Sequence, residues 1–231
     1  MDFVFPPAPP CSLAVVGRTQ RFPVRRIYCV GRNYAEHAQE MGFSGREAPF
    51  FFLKPGDAAL PAPVDAAVDM PYPSLTTDLH HEVELVVAIG QGGSHIAVTD
   101  ALQHVWGYAV GLDMTRRDLQ AELKKQGRPW CIAKGFEASA PIGALTPAAQ
   151  AGAVDSANIT LQVNGQLRQS GNTRELIWKL AEIVSQLSHA WVLQPGDLIM
   201  TGTPAGVGAV QRGDLLDAHI SGLAPLRVRV V

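Results

Sequence analysis

The period of apolar and polar positions changes along this chain, and each change marks an element. In LHHEVELVVAI, residues 79–89, Val83, Leu85, Val87 and Ile89 alternate on one face. From Val86 and Ala88 onward the other face is apolar too, which predicts a strand buried on both sides. WGYAVGLD, residues 106–113, predicts a second strand. The pattern then turns helical from Thr115 to Gln126, with Leu119 and Leu123 on an apolar face, Gly127 as the stop and Pro129 just beyond. ITLQVNGQLRQ alternates at Ile159, Leu161 and Val163, and Asn164–Gly165 supplies a two-residue hairpin turn. Leu176, Ile177, Leu180, Ile183, Val184 and Leu187 predict the longest helix. Short strands are expected at 26–30, 50–53, 197–201, 215–220 and 226–230, and a polar, helix-forming stretch at 33–41. Strands outnumber helices and no βαβ rhythm is visible, so the expected class is α+β, mostly β.

Composition narrows the partners. A formal net charge of −2 leaves no broad basic footprint, so neither nucleic acid nor an anionic membrane is expected. Cys11, Cys29 and Cys131 are odd in number and widely spaced, which argues against a disulfide framework or a zinc knuckle. The start, MDFVFPPAPP, has neither the positive charge nor the apolar run of a secretory signal, and no stretch reaches transmembrane length. A reduced, cytoplasmic setting is expected.

Candidate chemistry gathers on three carboxylates. Alternation puts Glu82 and Glu84 on one face of their strand, with His80 beside them. Two like charges at the edge of a core repel and lose hydration, a cost that a divalent cation would relieve. A strand end emerging into solvent would carry the same two residues at no cost. Asp113 closes the next strand, and Arg117, Gln120 and Lys124 follow it as one polar stripe at helical spacing. An N-terminal acid with a solvated helix face is the plainer alternative. Lys134 stands isolated among Ile132, Ala133 and Phe136; it needs a partner if buried, and otherwise snorkels to the surface. Oxygen-only ligands favour magnesium or manganese, with calcium as a third candidate, over zinc.

Two further motifs are weaker. His37 and Glu40, three residues apart, share a face if 33–41 is helical, so the carboxylate could orient the imidazole as a base. A chance pair on a solvated helix reads equally from spacing. TGTPAGVG lacks the lysine of a phosphate loop, which excludes nucleotide binding; it is a turn, or a backbone donor loop to which Thr203 adds a hydroxyl.

The segments CVGRNYAEH, FFLKP, DLHHEVELVVAIG, GLDMTRRDLQAELKKQGRPW, AKGF, VNGQLRQSG and PGDLIMTGTPAGVG, in this order, resemble the fumarylacetoacetate hydrolase family. RFPVRRIYCVGRNYAEHAQEMGF with FFFLKP looks most like the members that cleave fumarylpyruvate. The resemblance implies a β-roll on a mixed sheet with a few short helices, as in the family's C-terminal domain. It implies residues 1–24 as an N-terminal extension with a strand, residues 25–231 as the catalytic domain, and a homodimer. By position, Glu82, Glu84 and Asp113 match the metal ligands, His37 and Glu40 the water-activating dyad, Lys134 the lysine that polarises or positions substrate, and Arg117, Gln120 and Thr203 polar substrate contacts. The implied reaction is hydrolysis of an acylpyruvate, with oxaloacetate decarboxylation or keto–enol tautomerisation as the rival on the same scaffold and a non-catalytic metal-binding module as a distant one. The segment from His37 to Arg46, polar and followed or interrupted by Gly42 and Gly45, is expected to act as a lid. One departure from the family is the absence of a proline in IWKLAEIVSQL.

Overall fold

A computed structural model describes residues 2–34 and 46–231. His37, Glu40 and most of the expected lid lie outside the described residues. The organising element is a mixed sheet whose strands run in the order Phe50–Pro55, Arg26–Gly31, Leu198–Met200, Val83–Ile89, Val105–Leu112, Ala140–Ile142, Ala59–Pro61. Leu198–Met200 runs parallel to Arg26–Gly31, and Ala140–Ile142 parallel to Ala59–Pro61; the other neighbours are antiparallel. A five-stranded sheet, built on the Asn158–Val163 and Gln166–Asn172 hairpin, packs against it. This mostly β roll with few helices is the architecture expected.

The double-sided burial of Val83–Ile89 explains the layering. Leu85, Val87 and Ile89 join one core with Ile159, Leu161, Leu216 and the helix residues Ile183, Val184 and Leu187. Val86 and Ala88 face a second core that includes Ile27, Leu198 and Met200. Leu13, Val15 and Phe22, which precede Arg26–Gly31 in the chain, join that second core.

Local structure departs from the sequence expectation at three places. The strand expected over 79–89 is two, Leu79–His81 and Val83–Ile89. Leu79–His81 belongs to a small sheet with Thr115–Arg116 and Gly208–Val210, so the chain changes sheets at Glu82. The corner is satisfied by Asp113 N donating to Glu82 O at 2.9 Å and by Val83 N donating to Gln169 Oε1 at 3.0 Å. The helix expected from Thr115 runs Arg117–Lys125, because Thr115–Arg116 is taken by pairing with His80 and Leu79. Gln120, rather than Leu119 or Leu123, is its buried residue. The longest helix is Leu180–Ala190. Leu176 and Ile177 precede it because Asn33 claims that backbone: Ile177 N donates to Asn33 O and Trp178 N to Asn33 Oδ1, both at 2.7 Å. Glu182 Oε2 then accepts from Lys179 N at 2.8 Å, which satisfies a free donor where the helix starts. The Asn164–Gly165 turn forms as expected, with φ of 53° and 77°.

Cys11, Cys29 and Cys131 are all free thiols. No helix among the described residues is long and apolar enough to cross a membrane.

Candidate active site

Where the chain changes sheets at Glu82, the carboxylate meets Arg117 and Lys134. One oxygen from each of Glu82, Glu84 and Asp113 lies within 4.8 Å of the others, and all three residues are buried. Neither the solvent-exposed strand end nor the snorkelling lysine describes this centre. Lys134 is 2 % exposed; its Nζ donates to Glu82 Oε2 at 2.8 Å and to Asp113 Oδ2 at 2.7 Å. Arg117 donates to the other Glu82 oxygen at 2.5 Å and to Gln120 Oε1 at 2.5 Å. His80 turns away to Asp78, at 2.9 Å.

The three carboxylates are held unequally. Burial alone would raise the Glu82 carboxyl, but Lys134 and Arg117 together hold it well below the usual range. Burial would lower the Lys134 ammonium, and Asp113 and Glu82 raise it instead. Glu84 makes no ion pair among the described residues; Gly202 N donates to its Oε2 at 2.7 Å. Burial, then the charges of Asp113 and Glu82, push its carboxyl well above normal. Asp113 Oδ1 stands 2.9 Å from Lys54 Nζ, but without the alignment of a hydrogen bond. The centre is therefore an all-oxygen set in which one carboxylate pairs with no cation among the described residues, which fits a hard divalent ion.

That imbalance has a measurable sign. An acid whose folded pKa lies above its unfolded value stabilises the fold below the unfolded value and loses that contribution as pH rises through the folded one. For Glu84 the loss begins above its ordinary 4.5. Glu82 is shifted the other way and is ionised in both states above that pH. His80 and His81, lowered by burial, oppose the trend, so the clean comparison is with Glu84→Gln. Between pH 5 and 8, urea stability of chelator-treated wild type should fall relative to Glu84→Gln, and added Mn2+ should restore it.

Sequence reasoning assigned no role to Lys54, although FFLKP carries the same signal as Lys134: a lone lysine in an apolar run. Lys54 is fully buried and donates to Met114 O at 3.2 Å and to Lys134 O. It thus ties the Asp113 loop to the short Cys131–Lys134 helix. Lys54→Met would leave the Met114 and Lys134 carbonyls without their donor and remove one of the two ammonium groups beside Asp113. The expected cost is about 3–5 kcal/mol, the scale for breaking a buried ion pair, read from urea unfolding.

The carboxylates, Arg117, Gln120, Lys134 and Thr203 line one narrow cleft. Thr203 Oγ1 accepts from Gln169 Nε2 at 2.8 Å, which fixes the loop after Leu198–Met200. The glycine-rich segment is thus a backbone donor loop, with Gly202 serving Glu84. A Cβ on Gly202, whose φ is 101°, would stand 2.8 Å from Asn33 Cβ.

A mixed β-roll with a buried carboxylate triad beside a lysine, at the floor of a polar cleft, defines a divalent-cation site open to a small ligand. The family description "Fumarylacetoacetate (FAA) hydrolase C-terminal" matches residues 26–231. The chain belongs to the fumarylacetoacetate hydrolase family. A solved fumarylpyruvate hydrolase from Pseudomonas aeruginosa, in complex with Mn2+ and pyruvate, is 55% identical with a TM-score of 0.97, covering 100% of this chain and 99% of that one. The mitochondrial oxaloacetate tautomerase FAHD1 of Rattus norvegicus is 44% identical over 89% of this chain and 91% of its own. A 5-carboxymethyl-2-hydroxymuconate delta-isomerase from Mycobacterium smegmatis is 32% identical with a TM-score of 0.79, covering 91% and 80%.

Proposed function

We propose that this chain is a divalent-cation-dependent hydrolase that cleaves the carbon–carbon bond of an acylpyruvate, fumarylpyruvate above others, giving fumarate and pyruvate. The observation that carries the reading is the buried Glu82–Glu84–Asp113 cluster with Lys134 against it, in a chain 55% identical to a fumarylpyruvate hydrolase over its whole length. Held by the three carboxylates, Mg2+ or Mn2+ would supply positive charge where the α-keto acid end and the enolate derived from it are negative.

The remaining roles fall to this chain's own residues. Arg117, Gln120 and Thr203 bind and orient the α-keto acid. His37, aligned by Glu40, takes a proton from the attacking water. The water oxygen adds to the distal ketone, and the bond between that carbon and the methylene breaks. The electron pair passes into the pyruvate enolate, which Lys134 stabilises by donating a hydrogen bond. A proton returns to the methylene carbon, and the acyl fragment leaves as a carboxylic acid.

Tautomerisation or decarboxylation of oxaloacetate is the second reading, favoured by the 44% identity to an oxaloacetate tautomerase. It uses the same enolate and no attacking water. The test is a panel of fumarylpyruvate, maleylpyruvate, acetylpyruvate and oxaloacetate with Mg2+ or Mn2+, following substrate loss and pyruvate release. Pyruvate from fumarylpyruvate is expected; turnover of oxaloacetate alone would reverse the choice. The enzyme is proposed to act in the cytoplasm, in the breakdown of aromatic compounds, as a homodimer. Light scattering at micromolar concentration should give twice the chain mass, and a monomer would refute the dimer.

A further inference from the structure

Gln169 lies in the Gln166–Asn172 strand and is fully buried, and the chemistry above does not use it. Its Oε1 accepts from Val83 N at 3.0 Å, and its Nε2 donates to Pro204 O at 2.9 Å. A backbone N–H only donates and a carbonyl only accepts, so these two contacts fix which end of the amide is the nitrogen. Two side chains then have to conform. His81 Nδ1, 2.9 Å from the amide oxygen, carries a proton. Thr203 Oγ1, 2.8 Å from Nε2, accepts. The Thr203 hydroxyl proton is left without an acceptor among the described residues, on a side chain that lines the cleft. The strand that carries Gln169 lies hard against this loop: a Cβ on Gly171 would stand 2.8 Å from Pro204 Cβ.

We infer that Gln169 is a positioning residue: it keeps the Thr203 hydroxyl proton available to the ligand, and His81 and Val83 N hold the amide in the orientation that does so. The inference rests on the keto acid end of the acylpyruvate reading. A hydroxyl is both donor and acceptor, and its proton rotates to suit its surroundings. The Gln169 N–H occupies one direction around Oγ1, so the proton cannot point that way. The same nitrogen also serves Pro204 O, the carbonyl that would otherwise draw the proton off. What remains is a donor for an acceptor-only group, a carboxylate or keto oxygen. Without Nε2 the hydroxyl turns freely, and Pro204 O competes with the ligand for its proton. Gln169 itself touches no ligand and acts only through Thr203.

The experiment reads pyruvate binding by calorimetry in the Mn2+-loaded protein. Thr203→Val and Gln169→Met should each weaken pyruvate by about ten- to a hundredfold, the scale of a lost hydrogen bond to a charged group. The double variant should bind no more weakly than either single one, and Mn2+ affinity should hold in all three. Thr203→Ser should recover most of the affinity that Thr203→Val loses. On an acylpyruvate the loss in Gln169→Met should appear in KM more than in kcat. In wild type with Mg2+, NMR of 15N-labelled histidine should show His81 with its proton on Nδ1. That spectrum and the Thr203 pair carry the test if Gln169→Met does not fold. A neutral His81 protonated on Nε2 would require a flipped amide and overturns the inference. So do losses that add in the double variant, pyruvate affinity untouched in Gln169→Met or in Thr203→Val, or Mn2+ affinity that falls together with it. A wild type that binds pyruvate but cleaves no acylpyruvate overturns the acylpyruvate reading and leaves the role of Gln169 standing; one that binds no pyruvate overturns both.

Discussion

Glu84→Gln should all but abolish turnover, by roughly a thousandfold or more, while leaving the cation-free fold at least as stable as before. Loss of a cation's charge stabilisation in the transition state is worth several kcal/mol, which sets the scale. The choice of residue follows from the geometry. Glu84 accepts from Gly202 N and pairs with no lysine or arginine among the described residues, so an amide of the same shape leaves no ammonium stranded. Asp113→Ala would also stop turnover, but it removes the partner of Lys134 and Lys54 together and should destabilise the protein as well. Calorimetry with Mn2+ alone should show binding to wild type and little to Glu84→Gln. Full activity after exhaustive chelation would refute the cation-dependent mechanism.

The second large effect separates hydrolysis from its rivals. An attacking water needs a base, whereas an enolate can form from oxaloacetate without that water. His37→Ala should therefore cut acylpyruvate cleavage by roughly a hundredfold or more, the usual scale for a lost general base. Activity on oxaloacetate should fall much less, because it draws on the carboxylates and Lys134. Glu40→Gln should resemble His37→Ala more mildly, since it misaligns the imidazole without removing it. The ratio of the two activities in wild type and in His37→Ala is the decisive quantity. If both fall by one factor, His37 is not the water's base, and the tautomerase or decarboxylase reading takes precedence.

How much of this was readable in the sequence depended on whether a feature is local. The Asn164–Gly165 turn and the alternation of Val83, Leu85 and Val87 report on their own neighbours, and both emerged as read. The spacing of Glu82 and Glu84 indicated a shared side, but not the change of sheet between them. That change depends on Gln169, which is 86 residues away from Val83 in the chain. Thr115 looked helical because its sequence neighbours are; its pairing with His80 belongs to another strand. Asn33 was read only as the start of a polar helix, yet its side chain sets where the Leu180–Ala190 helix can begin. Lys54 was passed over because a buried lysine is recognised by the carbonyls and carboxylate around it, and those come from residues 113–134.

The Glu84–Gly202 hydrogen bond has a consequence for how the protein is made. It joins residues 118 positions apart, a strand residue and the loop after Leu198–Met200, which meet only once that segment lies between Arg26–Gly31 and Val83–Ile89. Contacts of such long range close late, after the chain has already lost much of its freedom. A nascent chain that has not yet released residue 202 therefore presents the acidic cluster without its backbone donor. Mn2+ added during refolding should leave the folding rate nearly unchanged and slow the unfolding rate, because its site lies on the native side of the barrier. The ion would then protect the finished molecule from reopening and give the growing one no help in closing.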